Sequence, residues 1–523
     1  MNTPLLSSVA ARTSVQTPRL SRTNLGRVAS DVHVPTFGAG ALRPGILHLG
    51  CGSFHRAHQA VLTQRAVEWE HGAAKRLQGS EPPAWGIVAA SLLTQQTIEP
   101  LKAQDGLYTL LERGPERTCA TVVGSLSRVI YAPEQTAVLQ GTFADPAIRL
   151  VTLTVTMAGY CADASQRLDT RSPALQDDLR TWPRAPRTAI GLLVAGLRQR
   201  WIDGNAPPVV LSCDNLPANG RLLRQVCIDF AALHDDRLAA WIAGSVQFPS
   251  TMVDRIVPMT SACDIDDAAA TTGLVDAAPV CAEPFHQWVI ERFDGARPRW
   301  DAAGAEYVTD VAPWEASKLR LLNGGHLAIA CLGQLAGCAT VADAMAVPGM
   351  SAFALRFMLD EQKPTLPPSD HDIDAYARQL LARWRSRGIA HRLDRVARDG
   401  SSKLPSRLLA ALRNNRRAGR PAHCTVLAIA AWMRCVAGRD DAGKPIALPD
   451  SMNMELKRRA AAAGTDPRRL VDLLMDMPEI FGDDMPRDRD LRRDLIDAVD
   501  MLQQRGARAA VAACGSGLLH AGY

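Results

Sequence analysis

The sequence has no long hydrophobic run, no closely spaced cysteine pair and no large excess of charge. No uninterrupted apolar segment reaches the roughly 18 residues that a membrane-spanning helix needs, so we expect no membrane association. The twelve cysteines lie between Cys51 and Cys514 without a Cys-x-x-Cys motif, which argues against a zinc cluster or disulfide framework and favours reduced thiols in the cytoplasm. A net charge of +5 without a basic, aromatic-rich patch argues against nucleic acid as a partner.

The length of 523 residues and the hydrophobic content of 47% predict two or more domains. Residues 1–17 contain no acidic residue and no signal-peptide apolar core, and we predict a disordered tail there. Strand-like and helical patterns alternate in residues 18–284, whereas helical patterns dominate residues 285–523. The predicted fold class is therefore an α/β Rossmann-like dinucleotide-binding domain followed by a mainly α-helical C-terminal domain for substrate and catalysis.

A glycine turn follows the first strand-like segment. Gly45–Leu49 is apolar, Gly50 and Gly52 come next, and a helical pattern begins directly after them. Glycines at such a turn let backbone N–H groups approach a pyrophosphate, which is the layout of a dinucleotide site, although His55 replaces the third glycine of the usual fingerprint. The segment 91–96 after the next strand carries neither an acid for the adenosine ribose nor an arginine for a 2′-phosphate. We expect NAD, without excluding NADP.

A second segment, Pro313–His326, places polar groups on an apolar helix. At about 100° per residue, Glu315, Lys318, Asn323 and His326 fall in one angular sector. Burial of Lys318 in a core helix lowers its pKa from about 10.4 and makes it a candidate base near neutral pH. The alternative interpretation is a lysine that reaches the surface and a histidine that hydrogen-bonds within the core.

Two glycines, Gly324 and Gly325, interrupt the same helical pattern. Each costs about 1 kcal/mol relative to alanine within a helix. Their presence predicts the close approach of a ligand or another backbone segment, or alternatively a helix break at Asn323.

Four motifs in chain order resemble the long-chain mannitol dehydrogenase family, which includes mannitol 2-dehydrogenases, arabinitol dehydrogenases and the fructuronate and tagaturonate reductases. The resemblance extends from about residue 20 to beyond residue 500. The motifs are Gly50-x-Gly52-x-Phe54-x-Arg56-x-His58, Ser212–Gly220, Phe248–Pro258 and Lys318–His326.

The resemblance implies metal-free, NAD-dependent hydride transfer between a secondary alcohol and a ketone, with no resident metal. It implies Lys318 as general base, Asn215 and Asn323 as amide donors to the reacting oxygen, and His326 as the group that orients a substrate hydroxyl. Two simpler readings stay open: Asn215 as a turn residue and Asp254 as a partner of Arg255. The remaining implied positions are Gly50, Gly52, Phe54, His55, Arg56 and Asp214 for the cofactor, and Asp254, Arg395 and Lys403 for the substrate.

The sequence departs from the family at two places. Met157 and Ala158 stand where relatives commonly have Glu-Lys, so a carboxylate near the cofactor is missing and proton movement is expected to be slower or rerouted, with Glu315 as the candidate relay. The segment Arg383–Gly388 also differs from the pattern seen in relatives.

The leading hypothesis is a polyol and ketose pair of the mannitol and fructose type. The close alternative is a hexuronate reductase acting on fructuronate/mannonate or tagaturonate/altronate, because arginine and lysine side chains suit a substrate carboxylate. A third hypothesis is a non-catalytic nucleotide-binding protein. We expect a monomer or small homo-oligomer with a small-molecule substrate. The cations considered for the carboxylate are Arg320, Arg395, Arg398 and Lys403.

Overall fold

A five-stranded parallel sheet organises the N-terminal half of the protein, whose computed structural model describes residues 17–38, 42–76 and 85–516. The predicted tail over residues 1–17 lies, apart from its last residue, outside the described residues. The strands are β1 (Pro44–Leu49), β2 (Gly86–Ser91), β3 (Tyr108–Arg113), β4 (Thr118–Val123), β5 (Leu126–Tyr131), β6 (Leu150–Leu153), β7 (Val209–Ser212), β8 (Thr251–Asp254), β9 (Val280–Ala282), β10 (Gln287–Glu291) and β11 (Glu306–Val308).

The strand order of the central sheet is β5-β2-β1-β6-β7, and all four pairings are parallel. Every residue of β2, β6 and β7 is buried, as expected for strands covered by helices on both faces. Leu47 pairs with Val88 on one side and Val151 on the other, and the order reverses between β1 and β6. This reversal places a ligand crevice at the carboxyl ends of β1 and β6.

Helices cover both faces of this sheet. The helical segments of this half are a 3-10 turn at Arg22–Arg27 and the α-helices α1 (Ser53–Ala57), α2 (Gln59–Arg76), α3 (Ile98–Ala103), α4 (Thr136–Ala144), α5 (Thr156–Gly159), α6 (Pro173–Thr181), α7 (Ala189–Ile202), α8 (Asn219–Ala232), α9 (Asp236–Ser245) and α10 (Ala262–Thr272). The 3-10 turn and α10 pack with β3, β4 and β9 rather than with the central sheet. Alternate residues of β1 enter two different cores: Ile46 packs with Ala60 and Val61 of α2, and Leu47 packs with Leu193 of α7.

Two three-stranded sheets flank the central one. β3 pairs with β4 antiparallel and with β9 parallel, and β10 pairs with β8 antiparallel and with β11 parallel. β10 and β11 lie beyond residue 285, and Trp288 and Trp300 pack in the same core as Ile46. The division at 284/285 stays a prediction.

The C-terminal half is helical. Its α-helices are α11 (Ala312–Ser317), α12 (Gly325–Leu335), α13 (Val341–Met345), α14 (Met350–Arg356), α15 (Ile373–Arg385), α16 (Leu393–Ala397), α17 (Gly400–Leu404), α18 (Ala410–Arg417), α19 (His423–Val436), α20 (Asn453–Ala463), α21 (Pro467–Met475), α22 (Pro478–Phe481) and α23 (Arg489–Gly515). Three π-helical segments occur at Lys318–Gly324, Phe357–Gln362 and Pro405–Leu409, and 3-10 turns at Lys363–Thr365 and Met485–Arg487.

The central helix α12 is buried on all sides, since each residue from Leu327 to Leu332 is at most 1% exposed. It packs with α19 and α23 in one large apolar core. The predicted fold class, an α/β Rossmann-like domain followed by a helical domain, is confirmed. None of the described helices is long and apolar enough to cross a bilayer.

Candidate functional site

A crevice lies where the carboxyl ends of β1, β6 and β7 meet. Gly50 follows β1 with φ +104°, a conformation that favours glycine. A Cβ at Gly50 would lie 2.1 Å from the carbonyl oxygen of Thr154, whereas a Cβ at Gly52 would meet nothing closer than the Gly50 carbonyl at 3.9 Å. Gly50 therefore allows the loop after β1 to approach the loop after β6, and Gly52 leaves open space at the turn.

Asp214, which follows β7, holds the loop after β6 in place. Its carboxylate accepts hydrogen bonds from the backbone N–H groups of Val155 at 3.0 Å and Thr156 at 2.9 Å, and from the Tyr160 hydroxyl at 2.9 Å. Burial raises the pKa of Asp214, and these donors oppose the rise. The side chain predicted as a cofactor contact thus positions the β6 loop.

The residues just after the glycine turn are anchored inside the protein. His55 stacks on His48 with ring centroids 3.4 Å apart, and its Nδ1 lies 3.0 Å from the Gln59 Oε1. Arg56 donates to the Ala278 carbonyl at 2.6 Å and is 5% exposed. Phe54 stacks on His58. These buried contacts hold the start of α1, directly after the glycine turn, in place.

The crevice fits a dinucleotide. The open space at Gly52 admits a pyrophosphate to the backbone. The loop after β2 presents the amide side chain of Gln95 and the exposed Leu93, and it carries no carboxylate and no arginine over residues 92–97. The residues present therefore fit NAD: the backbone at the glycine turn would hold the pyrophosphate, and residues 92–97 would offer the adenosine ribose no charged side chain.

We expect Gly50→Ala and Gly52→Ala to separate loop structure from cofactor binding. Gly50→Ala should lower the melting temperature and weaken NADH binding by at least about tenfold, because the added methyl overlaps the Thr154 carbonyl. Gly52→Ala should leave the melting temperature of the free protein unchanged and weaken NADH binding only. Thermal unfolding and fluorescence titration with NADH test both, and unchanged NADH affinity in Gly52→Ala would contradict the assignment.

Lys318 lies across the crevice at the start of a π-helical segment. Its Nζ donates to Asn215 Oδ1 at 2.6 Å and to the Val253 carbonyl, and the side chain is buried at 7% exposure. Burial lowers the pKa of Lys318 to about 8; nearby Asp254 opposes this shift, and the cations Arg383 and Arg407 favour it. The alternative of a lysine that reaches the surface is wrong.

The sequence pattern predicts one regular α-helix around Lys318, and the structure differs from this prediction. Residues Lys318–Gly324 form a π-helix between α11 and α12, so the 100° spacing does not hold across them. The backbone stays helical through Gly324 and Gly325, and no break occurs at Asn323. A Cβ at Gly324 would lie 2.9 Å from the Arg407 carbonyl, and one at Gly325 would lie 2.6 Å from the Trp384 ring. Neighbouring protein segments explain the two glycines.

His326 is a buried histidine with a free ring nitrogen. It is 7% exposed, and its Nε2 has no hydrogen-bond partner within the described part of the chain. Burial lowers its pKa well below the ordinary value, so the ring is neutral near pH 7. Because a buried polar atom is normally paired, this nitrogen indicates a position for a ligand hydroxyl.

Asp254 belongs to a buried ion-pair group that sequence reasoning missed. Arg383 from α15 donates to both carboxylate oxygens of Asp254, at 2.7 and 3.0 Å, and to Glu283 at 2.6 and 2.9 Å. Although burial opposes ionisation, Arg383 holds the pKa of Asp254 below its ordinary range. The suggested Asp254–Arg255 pair is wrong, because Arg255 pairs with Glu112.

Lys318 and His326 share two cationic neighbours. Arg383 and Arg407 each lower the pKa of both side chains, which places these groups in one neighbourhood. Asn323 is half-buried there, and its carbonyl accepts from Arg407 at 3.4 Å. The site therefore brings together the buried Lys318 amine, the Asn215 amide, a neutral histidine and charged groups.

The other predicted cations lie in different settings. Arg395 and Arg398 are exposed. Lys403 is half-buried and donates to the carbonyls of Val396, at 3.3 Å, and Arg398. Arg320 donates to the Thr365 carbonyl and hydroxyl. None of these contacts is to a carboxylate.

Glu315 and Met157, which were considered for proton movement, lie in different environments. Both Glu315 oxygens accept from the Ala218 N–H at 3.1 Å, so this carboxylate supports the start of α8. Met157 is 46% exposed. No group of three or more His, Cys, Asp or Glu side chains in the described ranges is arranged to hold a metal ion.

Comparison with known proteins covers nearly the whole chain. The family model for the mannitol dehydrogenase Rossmann domain matches residues 44–302, and the model for the mannitol dehydrogenase C-terminal domain matches residues 310–503. The D-mannonate oxidoreductase of Escherichia coli is 39% identical over 92% of this chain and 97% of its own length. A mannitol 2-dehydrogenase of Aspergillus fumigatus is 36% identical over 93% of this chain and 97% of its own length.

Two solved structures share the fold. The mannitol 2-dehydrogenase of Pseudomonas fluorescens, in a ternary complex with NAD and D-mannitol, matches with a TM-score of 0.79 and 34% identity over 96% of this chain and all of that chain. A D-sorbitol dehydrogenase in substrate-free form matches with a TM-score of 0.85 and 30% identity over 94% of this chain and all of that chain.

Proposed function

We propose that this chain, which belongs to the mannitol dehydrogenase family and is an NAD-dependent oxidoreductase, interconverts a polyol and a ketose of the mannitol and fructose type with Lys318 as general base. The observation that carries the proposal is the buried Lys318 amine, held beside the dinucleotide crevice by Asn215. Its lowered pKa, about 8, gives a substantial neutral fraction near physiological pH.

The hydrogen bonds of Lys318 suit proton transfer. A neutral amine has two N–H donors and one lone pair, and Asn215 Oδ1 and the Val253 carbonyl supply two acceptors. The lone pair is then available for the proton of the substrate alcohol. NAD, when bound, supplies the hydride acceptor or donor at the same carbon.

Amide groups support the reacting oxygen. Since Asn215 Oδ1 accepts from Lys318, its NH₂ group is left to donate to the oxygen on which negative charge develops. Asn323 is proposed to donate from the other side, and the free Nε2 of His326 to bind a hydroxyl of the open-chain substrate.

We also propose roles in cofactor and substrate binding for the other predicted residues. Gly50 and Gly52 are proposed to contact the cofactor through their backbone, with Phe54, His55, Arg56 and Asp214 supporting the turn and loops. Asp254, Arg395 and Lys403 are proposed on the substrate side, where Asp254 acts together with Arg383. A cytoplasmic monomer or small homo-oligomer stays a prediction.

A hexuronate reductase is the second candidate, supported by the similarity to a D-mannonate oxidoreductase and by Arg407, which forms no salt bridge within the described ranges of the chain. Initial rates of NADH and NADPH oxidation with fructose, xylulose, fructuronate and tagaturonate test both. We expect turnover with NADH. Faster reduction of the neutral ketoses supports the polyol assignment, a preference for the uronates supports the second candidate, and no turnover of any substrate contradicts both.

A further inference from the structure

A cavity of about 220 Å³ lies between the Rossmann-like domain and the helical domain. Its wall is formed on one side by residues at the ends of β3, β8 and β9, and on the other by α13, the end of α15 and the segment after α15. Neither Lys318 nor His326 lines it. The segment 383–388, which departs from the family pattern, contributes Trp384 and Ser386. The cavity is therefore formed in part by residues for which the family resemblance implies no role.

The wall of the cavity is mainly apolar, and its charged side chains are already paired. Arg383 and Glu283 bind each other, and Arg113 donates to Asp264 at 2.6 Å. A charged ligand would bring a charge that none of these groups is free to offset, at the cost of leaving water. The wall therefore favours an uncharged ligand. Its apolar residues are Ile256, Pro284, Phe285, Val341, Ala342 and Ile389.

Two nitrogen-bearing side chains of the wall are available to a ligand. Trp384 is 2% exposed, and its Nε1 donates to no residue in the described ranges of the chain. His391 is half-buried, and burial lowers its pKa to about 4, so that the ring is neutral near pH 7. Because a buried indole N–H is normally paired, Trp384 indicates a position for a hydrogen-bond acceptor of the ligand.

Trp384 and His391 also connect the cavity with the proposed substrate site. The ring centroid of His326 lies 5.4 Å from that of Trp384 and 4.8 Å from that of His391. The six-membered ring of Trp384 packs against Gly325, which precedes His326 in α12. A ligand that contacts Trp384 or His391 would therefore act on the side chain proposed to orient the substrate.

We propose that this cavity binds a small uncharged molecule with an aromatic or branched aliphatic body and a single hydroxyl, and that its occupancy changes substrate binding through the contacts of Trp384 and His391 with His326. The effect on substrate rests on the proposed function, whereas binding in the cavity does not. A cavity of about 150 Å³ can hold benzene, so the volume here is sufficient for one ring with a short substituent. A sugar would leave most of its hydroxyls unpaired against the apolar wall.

Benzyl alcohol and benzoate are matched probes, because they share the ring and differ in charge. In ligand-observed NMR titrations of the full chain with NADH present, we expect benzyl alcohol to bind with a Kd of about 1 mM, ordinary for a ligand of this size. Benzoate should bind at least about tenfold more weakly, since the wall offers no free cation. Equal binding of the two probes would overturn the proposal.

Ala342→Phe tests the location, because it places a ring inside the cavity from α13. It should weaken the binding of benzyl alcohol at least about tenfold, whereas Ala461→Phe, at an exposed position of α20, should leave binding unchanged. Ile389→Trp fills the cavity from the segment after α15 and is the second variant if Ala342→Phe does not fold. Melting temperature and NADH affinity show which variants are folded. Unchanged binding in a folded, filled variant would contradict the assignment.

Trp384→Phe tests the hydrogen bond to the ligand. It removes the N–H and keeps an aromatic ring, so benzyl alcohol should bind about three- to tenfold more weakly, the range expected for one hydrogen bond. Binding as tight as in the wild type would show that the hydroxyl does not use this donor.

The KM of the best-reduced carbonyl substrate of the panel above tests the effect on substrate. Saturating benzyl alcohol should change this KM at least about fivefold in the wild type and less than about twofold in Ala342→Phe. An unchanged KM in the wild type would overturn the connection through His326, and an equal change in both proteins would show binding in the substrate site instead. Absence of turnover with every carbonyl substrate would contradict the function proposed above and with it the effect on KM, while the NMR titrations still decide whether the cavity binds the probe.

Discussion

Replacing Lys318 with alanine is expected to lower kcat/KM for alcohol oxidation by about 10²–10⁴-fold, the range associated with loss of a positioned general base. The Lys318 amine is the buried group whose pKa, about 8, suits proton transfer near neutrality, and its two acceptors fix its direction. The glycine turn is a separate element of the crevice, so NADH affinity should stay within about threefold of the wild type.

Steady-state oxidation by NAD of the alcohol that corresponds to the best-reduced carbonyl substrate of the panel above, together with NADH titration, measures this effect. Lys457→Ala removes an exposed lysine of α20 and serves as the control with unchanged rates. Retention of more than a tenth of the wild-type kcat/KM in Lys318→Ala would show that another group takes the proton. A parallel loss of NADH binding would point to a structural role for Lys318 instead.

Arg383→Ala is expected to reduce the free energy of unfolding by about 3–5 kcal/mol, because it leaves two buried carboxylates without their cation. Arg383 and Asp254 are 5% and 3% exposed in their side chains, and Glu283 is 9% exposed. Since solvent cannot replace the lost hydrogen bonds, both Asp254 and Glu283 lose favourable interactions at once. The contact between β8 and α15 should loosen as well.

Denaturant unfolding of the wild type and the variant measures the change. Arg392→Ala is the matched control: its pair with Asp394 is exposed, with side-chain exposures of 56% and 35%, and its removal should change the stability by at most about 1 kcal/mol. If Arg383→Ala loses no more stability than Arg392→Ala, the buried ion pairs do not contribute as the structure suggests.

Local sequence patterns predicted the central elements of the crevice. The apolar segment before Gly50 is β1, and the glycine with φ +104° stands where a close approach requires it. Burial of Lys318 followed from the apolar residues that continue to α12. In both cases the prediction depends on an apolar segment next to Gly50 or Lys318. Since that segment lies within about ten residues of the site, the local sequence is sufficient to predict it.

The long-range contacts could not be predicted in this way. Arg383 reaches Asp254 across 129 positions, and Arg407 reaches Asn323 across 84. Arg383 also lies in a segment that departs from the family pattern, so the resemblance gave no sign of its partners. The π-helix at Lys318–Gly324 has no local sequence signature. Gly324 within it and Gly325 directly after it are explained by Arg407 and Trp384, which come from other elements. The short strand β10 is buried at its centre by tertiary contacts, and β11 is only partly buried and is held by its pairing with β10.

The pH dependence of kcat/KM tests most directly whether Lys318 is the general base. In the direction of alcohol oxidation, the neutral amine is required, so the rate should rise with pH through about 8 and level off above it. In the direction of ketone reduction, the protonated amine is required, and the rate should fall through the same pH. Opposite inflections near pH 8 in the wild type, absent from the residual activity of Lys318→Ala, are the predicted result. A wild-type profile without an inflection between pH 6 and 10, or one that survives in Lys318→Ala, would contradict the account.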